Sequence, residues 1–171
     1  YHMGITAENV AEKFQVTRDE QDKFALLSQE KAIKAQKEHK FKQEIINFKI
    51  KSKKAEINFN KDEHPREGMN FEMLSRLKPV FKKDGTVTAG NASGINDGAA
   101  VVALMSGKEA GKRGIKKLVS IKSWASCGVD PALMGTGPIP SSKKALDLAG
   151  WDIKDVDLFE INEAFAAQSI A

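Results

Sequence analysis

Apolar residues recur at helical spacing as far as Glu38, then alternate, and later gather into short continuous runs. Ala7 to Phe14 is amphipathic, and Thr6 ahead of it is the expected N-cap. Thr17 and Glu20 stand three residues apart as a capping box, which predicts a long helix from there to about Glu38. The best apolar stripe of that helix runs through Phe24, Leu27, Ser28 and Ala32. Between Glu44 and Lys51, Ile46, Phe48 and Ile50 alternate with Asn47 and Lys49, and Glu56 to Asn60 alternates in the same way. Two strands are predicted, joined as a hairpin through Lys53 and Lys54. Lys61 to Arg66 is polar loop, and Phe71 to Leu77 reads as a short helix halted by Pro79.

The pattern changes after Thr86. Thr86 to Gly98 carries three glycines and two asparagines, a composition that lets the backbone approach a ligand or other backbone closely. Ala99 to Met105 is continuously apolar and, by its length and its valines, predicts a buried strand. Ser106 to Gly114 predicts a helix, and Val119 to Ala125 an alternating strand. Gly128 to Pro140, with three glycines and three prolines, predicts a loop. A helix from Pro140 to Gly150, opened by Ser141 or Ser142, leads to a further apolar run, Val156 to Ile161. Strand–helix alternation of this kind is α/β patterning, and the residues before it form a separate subdomain of helices with a small hairpin.

Asn162 falls where that last run gives way to Ala-rich helical sequence. Such a junction is a favoured ligand position in α/β folds. Spacing alone favours an N-cap role for Asn162; the alternative is a side-chain amide that fixes a water or a substrate oxygen.

Composition narrows the class. The 171 residues are 41% hydrophobic and 29% charged, as in globular domains, and no apolar run is long enough to cross a bilayer. A single cysteine, Cys127, excludes an internal disulfide and a cysteine metal cluster, which fits a reducing compartment. Cys127 reads as a small buried apolar residue, and His39 and His64 as solvated. The net charge of +4 is uneven, with nine lysines from Lys31 to Lys54 against Glu38 and Glu44. That field suits phosphate groups. It lacks the aromatic and glycine patterning of a nucleic-acid surface. The chain begins with Met at the third position and stops inside a helical pattern, so a fragment is expected.

Four motifs in order resemble the thiolase family: Tyr1 to Ala11, Thr86 to Ala100, Met134-Gly135-Thr136-Gly137-Pro138, and Asn162-Glu163-Ala164-Phe165. The resemblance covers the whole chain. It implies part of a thiolase fold: mixed-sheet α/β halves with a mainly helical loop domain that covers coenzyme A. Residues 1–96 would be most of the loop domain, 97–117 the end of the N-terminal half, and 118–171 the start of the C-terminal half. His2 before Met3-Gly4 resembles the biosynthetic, acetyl-CoA C-acetyltransferase type. That type joins two acetyl-CoA into acetoacetyl-CoA and free CoA, reversibly, with the thioester as substrate and no further cofactor or metal. Asn162 matches the family's catalytic asparagine, which holds a water near the thioester oxygen. Ser93 matches a serine at the pantetheine, and Arg66 an arginine beside the adenine. His2, Met3, Phe81, Ala89, Met134, Ala164 and Phe165 match positions lining the pantetheine and acetyl pocket.

The family's nucleophilic cysteine, its Gly-His-Pro histidine and its second cysteine match no position here, so the chain alone is expected to be inactive. A thiolase-like CoA- or lipid-binding protein without chemistry is the alternative from another class, and a degradative 3-ketoacyl-CoA thiolase the alternative within the family. A basic interaction module is a third reading. The resemblance further implies a homodimer or homotetramer in a cytoplasmic or organelle-matrix setting, with neither nucleic acid nor membrane as partner.

Overall fold

The structure, a computed structural model, describes residues 1–51 and 55–171. It divides into two compact units: Tyr1–Gly94 together with Asn162–Ala171, and Ile95–Ile161.

The first unit is built on two helices. Helix α1 spans Met3–Phe14 and begins earlier than Thr6, because the His2 imidazole caps it: Nδ1 accepts from the Gly4 N–H at 3.1 Å. Thr6 is therefore inside the helix, and its hydroxyl donates to the Met3 carbonyl. Helix α2 spans Arg18–Lys37 and opens on the predicted capping box, with Thr17 and Glu20 bonding reciprocally. Its buried face is Gln21, Asp22 and Ala25, whereas Leu27 of the predicted stripe is 49% exposed. The polar pair is buried because both side chains bond groups of the loop around Thr86 and Asn91.

Strands β1 (Phe48–Lys51) and β2 (Glu56–Phe59) pair antiparallel, Phe48 opposite Phe59 and Ile50 opposite Ile57. The predicted turn through Lys53 and Lys54 lies outside the described residues. Helix α3 spans Phe71–Ser75, capped by the Asn70 side chain.

Small residues let the helices approach. Ala7, Ala11, Ala166 and Ala167 are all buried, and α6 (numbered in chain order, Ala166–Ile170) packs against both α1 and α2. Leu74, Val10, Val16 and Val87 are buried with them.

In the second unit, the predicted Ser106–Gly114 helix is present as α4 (Gly107–Lys112), capped by the Ser106 side chain. The predicted Gly128–Pro140 loop contains a 3-10 helix over Pro131–Thr136. Helix α5 spans Pro138–Ala149 and starts ahead of Ser141. Pro138 suits the first turn, where an N–H would have no partner. Ser141 instead donates back to the Gly137 carbonyl. The predicted strands over 99–105, 119–125 and 156–161 are not formed: these runs pair with no neighbour among the described residues. A strand exists by bonding to a neighbour, and here Val101, Val119 and Leu158 stay exposed. The mixed α/β character is thus carried by the helices and one hairpin.

Candidate functional site

At the start of α1, sequence and packing build an aromatic cluster. The His2 ring lies 5.0 Å from that of Phe81, and Phe81 meets Phe165 edge-on at 6.4 Å. Edge-on pairs are a favourable ring geometry. Gly4 makes the approach possible, since a Cβ there would overlap the Phe81 ring. Three residues expected to line the pantetheine and acetyl pocket are therefore gathered in one place. Met3, the fourth from this end, is 54% exposed at the first position of α1.

Beneath the cluster, polar groups organise the Thr86–Asn91 loop. The Glu8 carboxylate is buried in α1 and accepts from the Thr86 N–H, the Thr86 hydroxyl and the Val87 N–H at 2.8–3.1 Å. Asn91 is equally buried: its Oδ1 accepts from Thr88 N–H, and its Nδ2 donates to the Thr86 carbonyl and to Asp22. Asp22 is held by Arg18 at 2.7 Å. Gly90 sits where a Cβ would lie 2.6 Å from Leu74 and Leu77 methyls, so this glycine admits side chains rather than a ligand.

The loop then meets the Asn162 segment. Ala92 bridges Phe165, and the Ser93 N–H donates to the Ala164 carbonyl at 3.0 Å. Ser93, Ala164 and Phe165 are thereby brought together, with Asn162 two residues from Ala164. This bridge also corrects the cap reading of Asn162. Phe165 is held extended by that bridge, so α6 starts only at Ala166 with Phe165 in the cap position. The Asn162 side chain is exposed and is not used as a helix cap. Its carbonyl accepts from Ala164 N–H, and the next side chain, Glu163, accepts from the Ser28 hydroxyl at 2.6 Å. Ala89 and Ser93 are exposed on the same loop.

Arg66 lies apart on the polar loop, its N–H bonded to Gln29 of α2. Nearby, an open cavity of about 660 Å³ is lined by Lys37, Lys42, Lys61, Ile33, Phe41 and Pro65, among others. Lys37 pairs with Glu67, whose pKa the lysine lowers by hydrogen bonding and by charge. Lys40 pairs with Glu38. Met134 belongs to the second unit, 47% exposed in the 3-10 helix. Cys127, also there, is a free, half-buried thiol. Among the described residues no His, Cys, Asp and Glu side chains cluster as metal ligands, and no helix is long and apolar enough to cross a membrane.

The sequence alone assigns no role at the site to Gly4, Glu8, Asp22 or Asn91, and places Ser28 only in the α2 stripe. Gly4, Glu8 and Asn91 stand inside the quoted motifs. The others look like ordinary helix residues until the loop they hold is in place.

An exposed amide and a serine hydroxyl beside an aromatic cluster can hold a water and a narrow apolar chain. Known proteins share this arrangement's sequence. The description of the thiolase N-terminal domain matches residues 1–108, and that of the thiolase C-terminal domain matches 115–171. An acetyl-CoA acetyltransferase of Rhizobium meliloti is 58% identical over all 171 residues, which are 44% of that protein. The cytosolic acetyl-CoA acetyltransferase of Mus musculus is 56% identical over the whole chain, again 44% of its length. The crystal structure of the Bacillus anthracis acetyl-CoA acetyltransferase superposes with a TM-score of 0.92 at 49% identity, over 98% of this chain and 43% of that one. Human mitochondrial 3-ketoacyl-CoA thiolase does so at 0.88 and 42%, over 98% and 42%. This chain thus spans less than half the length of the relatives it matches, and by matches that run through both domain descriptions it belongs to the thiolase family.

Proposed function

We propose that the intact protein containing this chain is an acetyl-CoA C-acetyltransferase, catalysing the reversible Claisen condensation of two acetyl-CoA to acetoacetyl-CoA and CoA. The observation that carries the reading is the bridge of Ala92 and Ser93 to Ala164 and Phe165, which joins two separate family motifs beside Asn162. The names of the relatives at 53–58% identity support the substrate class.

In this reading Asn162 acts through its amide. Carbon–carbon bond formation and cleavage at a thioester both place negative charge on the carbonyl oxygen. A fixed dipole or a water held by one stabilises that charge in the transition state, and such donors are worth about 10²–10³-fold in kcat. Ser93 contacts the pantetheine, and Arg66 lies beside the adenine, where a planar cation stacks well. His2, Met3, Phe81, Ala89, Ala164 and Phe165 line the acyl and pantetheine passage. The thiolate that carries the acyl group and the base that takes the α-proton match no position in this chain. CoA thioesters and free CoA are the small molecules of the reaction, with no further cofactor proposed. We assign the intact protein a homodimeric or homotetrameric state and a cytoplasmic location.

The degradative thiolase is the second reading, favoured by the similarity to the human 3-ketoacyl-CoA enzyme. Thiolysis rates on 3-ketoacyl-CoA substrates of increasing chain length separate the two. The first reading expects acetoacetyl-CoA to be cleaved best, and a preference for long chains overturns it.

A further inference from the structure

We propose that α2 sets the position of Asn162 through two contacts, Ser28 with Glu163 and Asp22 with Asn91, which makes Ser28, Asp22 and Asn91 positioning residues for the thioester site. The inference rests on the role given to Asn162 above.

Asp22 is fully buried. One of its oxygens accepts from Arg18 Nε at 2.7 Å and the other from Asn91 Nδ2 at 3.0 Å. A buried carboxylate is tolerated only with such partners, and removing one leaves the charge exposed to an apolar interior. Arg18 is itself fixed, because its Nη2 donates to the Leu74 and Leu77 carbonyls at 2.8 Å. The anchor is therefore rigid at its far end.

Asn91 passes that rigidity on. Its backbone carbonyl accepts from the Ala166 N–H at 2.9 Å, and the next two residues bridge Phe165 and Ala164. The backbone on the C-terminal side of Asn162 is thus held by residues whose own anchor is Asp22. The adjoining side chain, Glu163, is held separately by Ser28, on the same helix. Asn162 makes no side-chain bond that fixes it as a cap, so its direction follows from these neighbours. Displacing a reacting or polarising group by about 1 Å can cost about 10²-fold in rate.

The test is steady-state thiolysis of acetoacetyl-CoA by the intact protein. Ser28→Ala removes one hydroxyl at the edge of the fold and leaves the interior alone. It is expected to lower kcat about three- to tenfold, the equivalent of one net hydrogen bond, with KM nearly unchanged. Asn91→Ala is expected to lower kcat further and to reduce Tm as well. Each substitution is repeated in an Asn162→Ala background, where a positioning residue has nothing left to position. There the expected further loss in kcat is less than about twofold, the signature of sites that act as a unit. Unchanged kcat for Ser28→Ala overturns the inference, as do losses that multiply in the double variants. If Asn162→Ala alone leaves kcat intact, both the inference and the role of Asn162 fall. If Asn162→Ala costs activity while the cycles are additive, only the inference falls.

Discussion

Gly4 and Glu8 show how much of the site depends on single atoms. A methyl group at residue 4 would overlap the Phe81 ring and push it from His2 and Phe165. Gly4→Ala is expected to destabilise the protein by about 1–3 kcal/mol, the usual cost of overpacking, measured as a shift of the urea midpoint. Glu8 is the acceptor for two loop N–H groups and a hydroxyl. Glu8→Ala strands those donors in a buried place, and each unsatisfied group costs about 1–3 kcal/mol. Chemical denaturation is expected to show a loss larger than that of Gly4→Ala. At this scale the sequence showed motif residues but not their supports. Asn162, Ser93 and Phe165 stand in motifs that the resemblance picks out, and their segments meet in the structure. The supporting roles of Glu8, Asp22 and Ser28 were not legible, because their partners lie 69 or more residues away along the chain.

Among the elements, those specified locally were the legible ones. The Thr17–Glu20 box and the β1–β2 alternation depend on neighbouring residues, and each formed as expected. Thr17→Ala is expected to cost about 1 kcal/mol of stability by thermal denaturation, as N-cap losses do. The Glu20 carboxylate is held below its ordinary value, first by the Thr17 backbone N–H and then by the Thr17 hydroxyl. Its contribution is therefore fully present above the ordinary glutamate value of about 4.3 and is lost as pH falls through the lowered one. Glu20→Gln is expected to flatten the fall of Tm with pH in that acid range; an identical profile would remove Glu20 from the account. The apolar runs of the second unit behaved otherwise. Their composition predicts strands, but pairing is not a local property, and Val101, Val119 and Leu158 find no partner strand among the described residues. The start of α6 was misread for the same reason, since the distant Ala92–Phe165 bridge decides it.

Over the whole molecule, charge and family membership carry the account. The lysines from Lys31 to Lys51 are partly engaged in ion pairs with Glu67, Glu38 and Glu56, and some also border the cavity near Arg66. A surface of this sign attracts the phosphates of a CoA thioester. Reversing Lys37, Lys40 and Lys42 together to Glu in the intact protein is expected to raise KM for acyl-CoA about tenfold at low salt, from three exposed charges of modest individual effect. An unchanged KM would detach the lysines from substrate capture. Family and mixed α/β class were legible because four motifs recur in order through a chain that matches thiolases from end to end.

The central claim is that the Asn162 amide stabilises charge at a thioester oxygen. The kcat of Asn162→Ala in acetoacetyl-CoA thiolysis by the intact protein tests it most directly, read beside a far-UV spectrum that reports the fold. The account predicts a fall of about 10²–10³-fold with the spectrum unchanged. A folded Asn162→Ala protein that turns over at the wild-type rate would contradict it.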